Sequence, residues 1–262
     1  MGKVIAKDNI LDEILENKRQ EVKREKMAYP LSGFFPLLQK SKCNPLSEIF
    51  PAGRVNIIGE IKRKSPYNTK GFTKETIEIV NTYEHYCRGV SVLTDSKYFG
   101  MSLDDLAIVR TTSNLPILRK DFIVDEYQIY ESRLYGADMV LFIASALSYE
   151  ELSSFLKIAK RYGMHGLVEV HDQDDLQKAL DVDAKLIGIN NRDLRTSEID
   201  LHRTLELGLR IPREAYVISE SGIESREDIE LLRYNVDGFL IGNSLLKSDD
   251  IQGKLIELTT DN

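Results

Sequence analysis

From Val55 onward, short apolar runs rich in β-branched and aliphatic residues alternate with longer stretches whose apolar positions recur at helical spacing. The runs are VNIIGEI, GVSVLT, PILRK, MVLFIA, GLVEV, LIGIN, YVISE and DGFLIG, about eight strand–helix pairs at intervals of roughly 25 residues. They are apolar on both faces, as expected of parallel strands covered by helices outside and filled by side chains inside. The pattern predicts an α/β (β/α)8 barrel. An open doubly wound sheet is the competing architecture, but no Gly-rich dinucleotide fingerprint follows the first strand. Ahead of the barrel, Ile10, Leu11, Ile14, Leu15 and Val22 recur at helical spacing behind Asp8, a residue suited to capping a helix start. Lysines and glutamates are mixed on the polar face, so this reads as an amphipathic helix packed on the barrel rather than a membrane-surface anchor. With no low-complexity linker and no break in composition, residues 1–262 read as one barrel domain, with residues 1–50 as a helical extension.

Strand alternation then gives the charges a location. Catalytic groups of such barrels sit at the C-terminal strand ends, and a period of two decides which residues look inward. Ile58, Glu60 and Lys62 share one face, with Lys62 at the mouth, whereas Arg63 points away and Lys64 lies past the strand. Other strand ends repeat the signature with Lys120, Glu169, Asn190, Arg192 and Glu220. A single such charge is an ordinary solvated rim residue; a ring of them is a polar crown around a site. SESGI after the seventh strand and FLIGNSLL after the eighth add Ser221, Gly222, Gly242 and Asn243. Backbone N–H groups in turns and at a helix start suit a phosphate at this position of a barrel.

Composition narrows the partners. A net charge of −7 argues against a dedicated nucleic-acid binder while permitting a small anion in a local pocket. Cys43 and Cys87 match no metal or disulfide spacing and read as free thiols in a reducing compartment. His85, His165, His171 and His202 form no pair at metal-ligand spacing, and no acidic calcium loop is present, so no metal site is expected. The opening MGKVIAKDNILDEILENKRQEVKREK lacks the apolar core of a signal peptide and the hydroxyl that a myristoylation motif would need at Ala6. No apolar run approaches the roughly 20 residues of a membrane span, so the expected location is the cytoplasm.

The stretches EIKRKSP, SVLTD, ILRKDFIVDEYQIYESRLYGAD, LVEVHD, IGINNRDL, SESGI and FLIG, in this order, resemble the indole-3-glycerol phosphate synthase family over nearly the whole chain. The resemblance implies a decarboxylating ring closure in tryptophan biosynthesis, from 1-(2-carboxyphenylamino)-1-deoxyribulose 5-phosphate to indole-3-glycerol phosphate, CO2 and water, without a cofactor. It implies that Lys120 is the general acid at the ribulose carbonyl and that Glu169 is the base of the later dehydration. Lys62 matches a second lysine that contacts substrate and shares in proton delivery. Glu60, Glu220 and Asn190 match residues that orient the lysines and the substrate hydroxyls, and Arg192 a member of the same hydrogen-bond network. Ser65 falls in the first, mobile loop; Ser221, Gly222, Gly242 and Asn243 match the phosphate cradle; Phe99, Phe122, Leu194 and Leu240 resemble the wall for the aromatic ring. The expected partner is a phosphorylated small molecule, with neither nucleic acid nor membrane. The expected state is a monomer, with weak association with other enzymes of the tryptophan pathway as its protein partnership. The chain departs from the family in a longer, more polar SPYNTKGF loop, in CRGVSVLTD, at Met101, and at Asn243, where a Ser is common.

The residue types suit the chemistry on their own terms. Attack of an aromatic carbon on a ketone develops negative charge on oxygen, which an ammonium stabilises. Loss of CO2 restores aromaticity, so no external electron sink is needed. Three other readings stay open on sequence: a Schiff-base aldolase using Lys62 or Lys120, a phosphoribosylanthranilate isomerase on the same barrel, and a barrel that binds a sugar phosphate without turnover.

Overall fold

All eight apolar runs form strands: β1 (Ile57–Ile61), β2 (Gly89–Leu93), β3 (Ile117–Lys120), β4 (Met139–Ile143), β5 (His165–Val170), β6 (Leu186–Asn190), β7 (Tyr216–Glu220) and β8 (Gly238–Ile241). The structure is a computed structural model that describes residues 10–38, 43–66, 68, 71–193, 196 and 198–260. Every strand is parallel to its neighbours, and β8 pairs back onto β1 with Ile57 opposite Phe239, which closes the sheet into a barrel and excludes the open doubly wound alternative. Among the described residues no helix is long and apolar enough to cross a membrane.

Strand alternation divides the apolar residues into two cores. Ile58, Leu118, Met139, Leu141, Leu167, Leu186, Ile218 and Leu240 fill the barrel interior. The short helix α2 (Leu46–Ile49) and Phe50 join that inner cluster, and Phe50 packs beside Tyr216 at the start of β7. The residues in between, among them Ile57, Val90, Ile117, Val140, Val168, Ile187 and Phe239, pack outward against the helical layer. Buried Leu and Phe side chains of this kind each contribute about 1.5–3 kcal/mol. Several of the helices that follow strands start on side-chain caps: Asp125 with Gln128, Ser148 with Glu151, and Ser225 with Asp228 each form a reciprocal capping box.

The first helix, α1 (Ile10–Ala28), packs on this barrel through Ile14, Leu15, Val22 and, unexpectedly, Lys18. Asp8, the expected cap, lies outside the described residues. Lys18 is 1% exposed and so belongs to the buried face rather than the polar one. Its ammonium lies 3.0 Å from Asp95, 3.0 Å from Asp121 and 3.1 Å from Glu21. Burial alone would strip its proton, but Asp121, Asp95 and Glu21 outweigh that and raise its pKa above the usual lysine value. Asp121 also takes hydrogen bonds from Thr94 (2.7 Å) and Arg119 (2.9 Å), and Arg119 pairs onward with Glu131 at 3.1 Å. The helix is therefore tied to the ends of β2 and β3 by a buried ionic network. Lys18→Ala would leave two buried carboxylates short of a cation and should cost about 3–5 kcal/mol. Urea unfolding of the two proteins, compared at neutral pH, measures it.

Candidate active site

The inward positions at the C-terminal strand ends converge on one cavity of about 360 Å³. On β1, Glu60 faces inward and Lys62, just past the strand, faces the same way; their side chains meet at 2.5 Å. On β3 the alternation turns Lys120 in and Arg119 out. Lys120 reaches Glu220 of β7 at 2.9 Å and the second oxygen of Glu60 at 3.2 Å. β5 contributes Glu169, and β6 contributes Asn190, which stabilises the ionised form of Glu169. Arg192 donates its backbone N–H to the Asn190 side chain at 3.0 Å. Glu60, Lys62, Lys120, Glu169, Asn190 and Arg192 all line the cavity. Glu220 is fully buried beneath Lys120 and supports it from below.

Burial would lower the Lys120 pKa, yet Glu220, Glu60 and Glu169 hold it well above the ordinary lysine value. Burial would raise Glu60, but Lys62 and Lys120 bring it down to about 2. Glu169 behaves the same way: burial opposes ionisation, and His171, Lys120 and Asn190 outweigh it. Glu220 goes the other way. Burial raises it, and the pull of Lys120 does not cancel that, because Glu169 and Glu60 stand nearby. One of its oxygens, Oε1, is buried without a hydrogen-bond partner and lies against Gly188. A Cβ at Gly188 would sit 2.1 Å from that oxygen, so only glycine leaves room for Glu220 to reach Lys120.

An apolar wall faces this charged floor. Phe99, at the end of α4 (Ser96–Phe99), and Phe122 lie with ring centroids 6.1 Å apart, and Leu240, Leu93, Leu141 and Ile143 continue the surface. Phe122 is fixed by its neighbour, since Asp121 accepts its backbone N–H at 2.8 Å. Leu194, also expected in this wall, lies outside the described residues. Elsewhere on the rim stand Ser221, Gly222, Gly242 and Asn243. Ser221 and Gly222 both have positive φ (66° and 84°), a turn that Gly222 adopts without strain and Ser221 does not. Gly242 precedes α11 (Asn243–Lys247) and backs directly onto Glu60. Ser65 lies on the cavity as expected, with its hydroxyl accepting the Asn68 N–H at 3.1 Å.

Sequence reasoning passed over several lining residues. Ile10, Leu11 and Ile14 of α1 reach the cavity, as do Asn68, Ser244 and Lys247. The period of α1 showed an apolar face, but nothing in it distinguishes packing on a helix from packing on a ligand pocket. His171, which the sequence offers only as one of four histidines without metal-ligand spacing, belongs to the site as well. It lies two residues beyond Glu169, in phase with it, and its Nε2 stands 3.2 Å from the Glu169 carboxylate. That spacing was visible in LVEVHD.

A family model described as Indole-3-glycerol phosphate synthase matches residues 11–258. The indole-3-glycerol phosphate synthase of Acetivibrio thermocellus is 41% identical over 257 residues, covering 95% of this chain and 98% of that protein. The one from Aquifex aeolicus is 49% identical over 208 residues, 77% of this chain and 80% of that protein. Among solved structures, 3-hexulose-6-phosphate synthase from Salmonella typhimurium superposes with a TM-score of 0.63 at 12% identity, covering 78% of this chain and 96% of that one. A second structure of 3-hexulose-6-phosphate synthase gives 0.62 at 15%, with 78% and 98% covered. At that identity the likeness is one of fold.

Two outcomes follow from the packing and charge of the site. Gly188→Ala should cost about 1–3 kcal/mol by overpacking against Glu220, and markedly less in a Glu220→Ala background, where the clash is gone. Denaturant curves of the four proteins of that cycle test it. Because the folded-state pKa of Glu60 is depressed to about 2, the stability it contributes is complete above the ordinary carboxylate range and is lost as pH falls toward 2. Glu60→Gln should therefore flatten the fall in unfolding free energy between pH 5 and pH 2, roughly the window set by the ordinary and depressed carboxylate values.

Proposed function

The chain belongs to the indole-3-glycerol phosphate synthase family, and from that premise we propose how its cavity serves the decarboxylating ring closure. It is a carboxy-lyase of tryptophan biosynthesis. On this reading the substrate is 1-(2-carboxyphenylamino)-1-deoxyribulose 5-phosphate. Its aromatic ring rests against Phe99, Phe122 and Leu240, and its phosphate is held at the rim by Ser221, Gly222, Gly242 and Asn243. Anchored at both ends, the flexible chain between them brings the ring carbon that bears the carboxylate onto the ketone; positioning of this kind is worth several kcal/mol.

Lys120 protonates the ketone oxygen as the carbon–carbon bond forms. The observation that carries this assignment is the position of its ammonium, 2.9 Å from Glu220 and 3.2 Å from Glu60 on the cavity floor. The carboxylates keep the lysine charged until an oxygen that is becoming an alkoxide, a stronger base, takes the proton. CO2 then leaves and the ring regains its aromaticity. In the closing dehydration a cavity lysine delivers the proton with which the hydroxyl departs as water, while Glu169 removes a proton from the adjoining methylene carbon. Glu60 orients Lys62 and Lys120, Lys62 shares in proton delivery, and Asn190 and Arg192 hold the hydroxyls and the base. The same environment disfavours the Schiff-base aldolase reading for Lys120, because an amine nucleophile needs its pKa lowered and this one is raised. We place the enzyme in the cytoplasm, acting as a monomer.

Incubation with the carboxyphenylamino-deoxyribulose phosphate should yield indole fluorescence and CO2. Folded protein that gives neither would refute the assignment. Lys120→Ala and Glu169→Ala should each lower kcat by about 10²–10⁴-fold with far smaller changes in KM, since their contacts strengthen in the transition state. An effect confined to KM would remove them from the proton-transfer steps.

A further inference from the structure

Glu169 differs from its neighbours in what neutralises it. Lys62 and Lys120 are engaged by Glu60 and Glu220, whereas the ion pair of Glu169 is with His171, Nε2 to Oε1 at 3.2 Å. On the far side of the ring, Nδ1 faces Asp175 at 3.5 Å. Neither contact is a well-aligned hydrogen bond, so the pairing is one of charge across a short gap. Asp175 is itself fixed. It accepts the His171 backbone N–H at 3.1 Å, and its own N–H is capped by Asp172 at 2.9 Å in the first turn of α8 (Gln173–Asp181). A single strand-to-helix turn thus sets Glu169, His171 and Asp175 in line, running from the cavity outward.

We propose that His171 is a positioning residue for the dehydration step: standing as an imidazolium between Glu169 and Asp175, it keeps Glu169 ionised and facing the cavity. The inference rests on the reading of Glu169 as the base. A neutral imidazole donates from one nitrogen and accepts at the other, so it suits a carboxylate on one side only; here both nitrogens look at a carboxylate, the arrangement that an imidazolium with two N–H donors fits. Burial opposes a charge on the ring, but Asp175 and Glu169 outweigh it and bring His171 up to about 9, so the imidazolium persists through neutral pH. Its charged neighbours are these two carboxylates. Lys120 of β3 acts on Glu169, and Lys178 of α8 is turned away to the Ala144 and Leu147 carbonyls beyond β4. Without the imidazolium, only Lys120 and Asn190 would oppose the effect of burial, and Glu169 would shift toward the protonated form, which cannot accept a proton from substrate.

The test compares kcat against pH in the unaltered enzyme, His171→Gln, His171→Lys and Glu169→Gln. His171→Gln should move the acidic limb up by about one pH unit or more, which is tenfold in rate at the low end. Its kcat should recover as pH rises, with KM within about twofold, while His171→Lys, which restores a cation, keeps the original limb. An inactive Glu169→Gln alongside an unmoved limb in His171→Gln would overturn the inference and leave the base assignment intact. An active Glu169→Gln would overturn the base assignment itself. Should the histidine variants not fold, nitrogen NMR of the unaltered protein decides: the His171 ring doubly protonated at pH 7.5 supports the inference, and a neutral ring overturns it.

Discussion

Holding a mostly buried ammonium ion on the floor of the cavity, at the C-terminal end of the barrel strands, is the constraint on which the rest of this structure turns. Lys120 is tolerable there only because carboxylates from three other strands surround it, and those carboxylates are tolerable only because Lys62, Lys120 and His171 stand among them. Each member would be out of place without the others. The cluster is consequently rigid as well as charged, because moving any one group exposes another to an environment that opposes its ionisation. Rigid charge aimed at a place where new charge develops is what an enzyme of this kind requires, since no solvent then has to reorganise during the reaction.

A single strand supports two such clusters back to back. Along β3, Lys120 looks into the barrel, while Arg119 looks out to Asp121, Glu131 and Thr94 and, through Asp121, to Lys18 of α1. The outer network holds the residue next in line, Asp121, whose other oxygen fixes the backbone of Phe122. The position of the aromatic wall and the position of the acid are therefore set by neighbouring residues that answer to different networks. Packing alone would not give the same definition, because an apolar contact has no preferred direction and an ion pair between buried groups does.

Much of this was legible beforehand, for a physical reason. A parallel barrel repeats one unit, so the strands, their inward faces and the polar crown of Glu60, Lys120, Glu169, Asn190 and Glu220 follow from alternation. Three things did not follow. Lys18 sits on an apolar helix face, but its partners Asp95 and Asp121 are distant in sequence and their approach is a tertiary fact. Glu220 shared the right phase, yet that it lies under Lys120 rather than on the cavity wall depends on Gly188 of the neighbouring strand β6. His171 was in phase with Glu169 and went unread because it lies beyond the strand, where alternation loses its authority. The stretch around Leu194 and the SPYNTKGF loop carry no apolar period in the sequence, so periodicity gives no information about them.

The location of α1 bears on how the protein comes into being. The helix leaves the ribosome before any of the barrel, and the barrel partners of Lys18, Asp95 and Asp121, follow roughly 80 and 100 residues later, at the typical pace of some 5–20 residues per second. Until they do, this segment has an apolar stripe with no surface to receive it and lacks the packing from which a helix of its kind takes most of its stability. The barrel itself closes only through β8, the last strand to be made, which pairs back onto β1, so the cavity is complete only once nearly the whole chain is present.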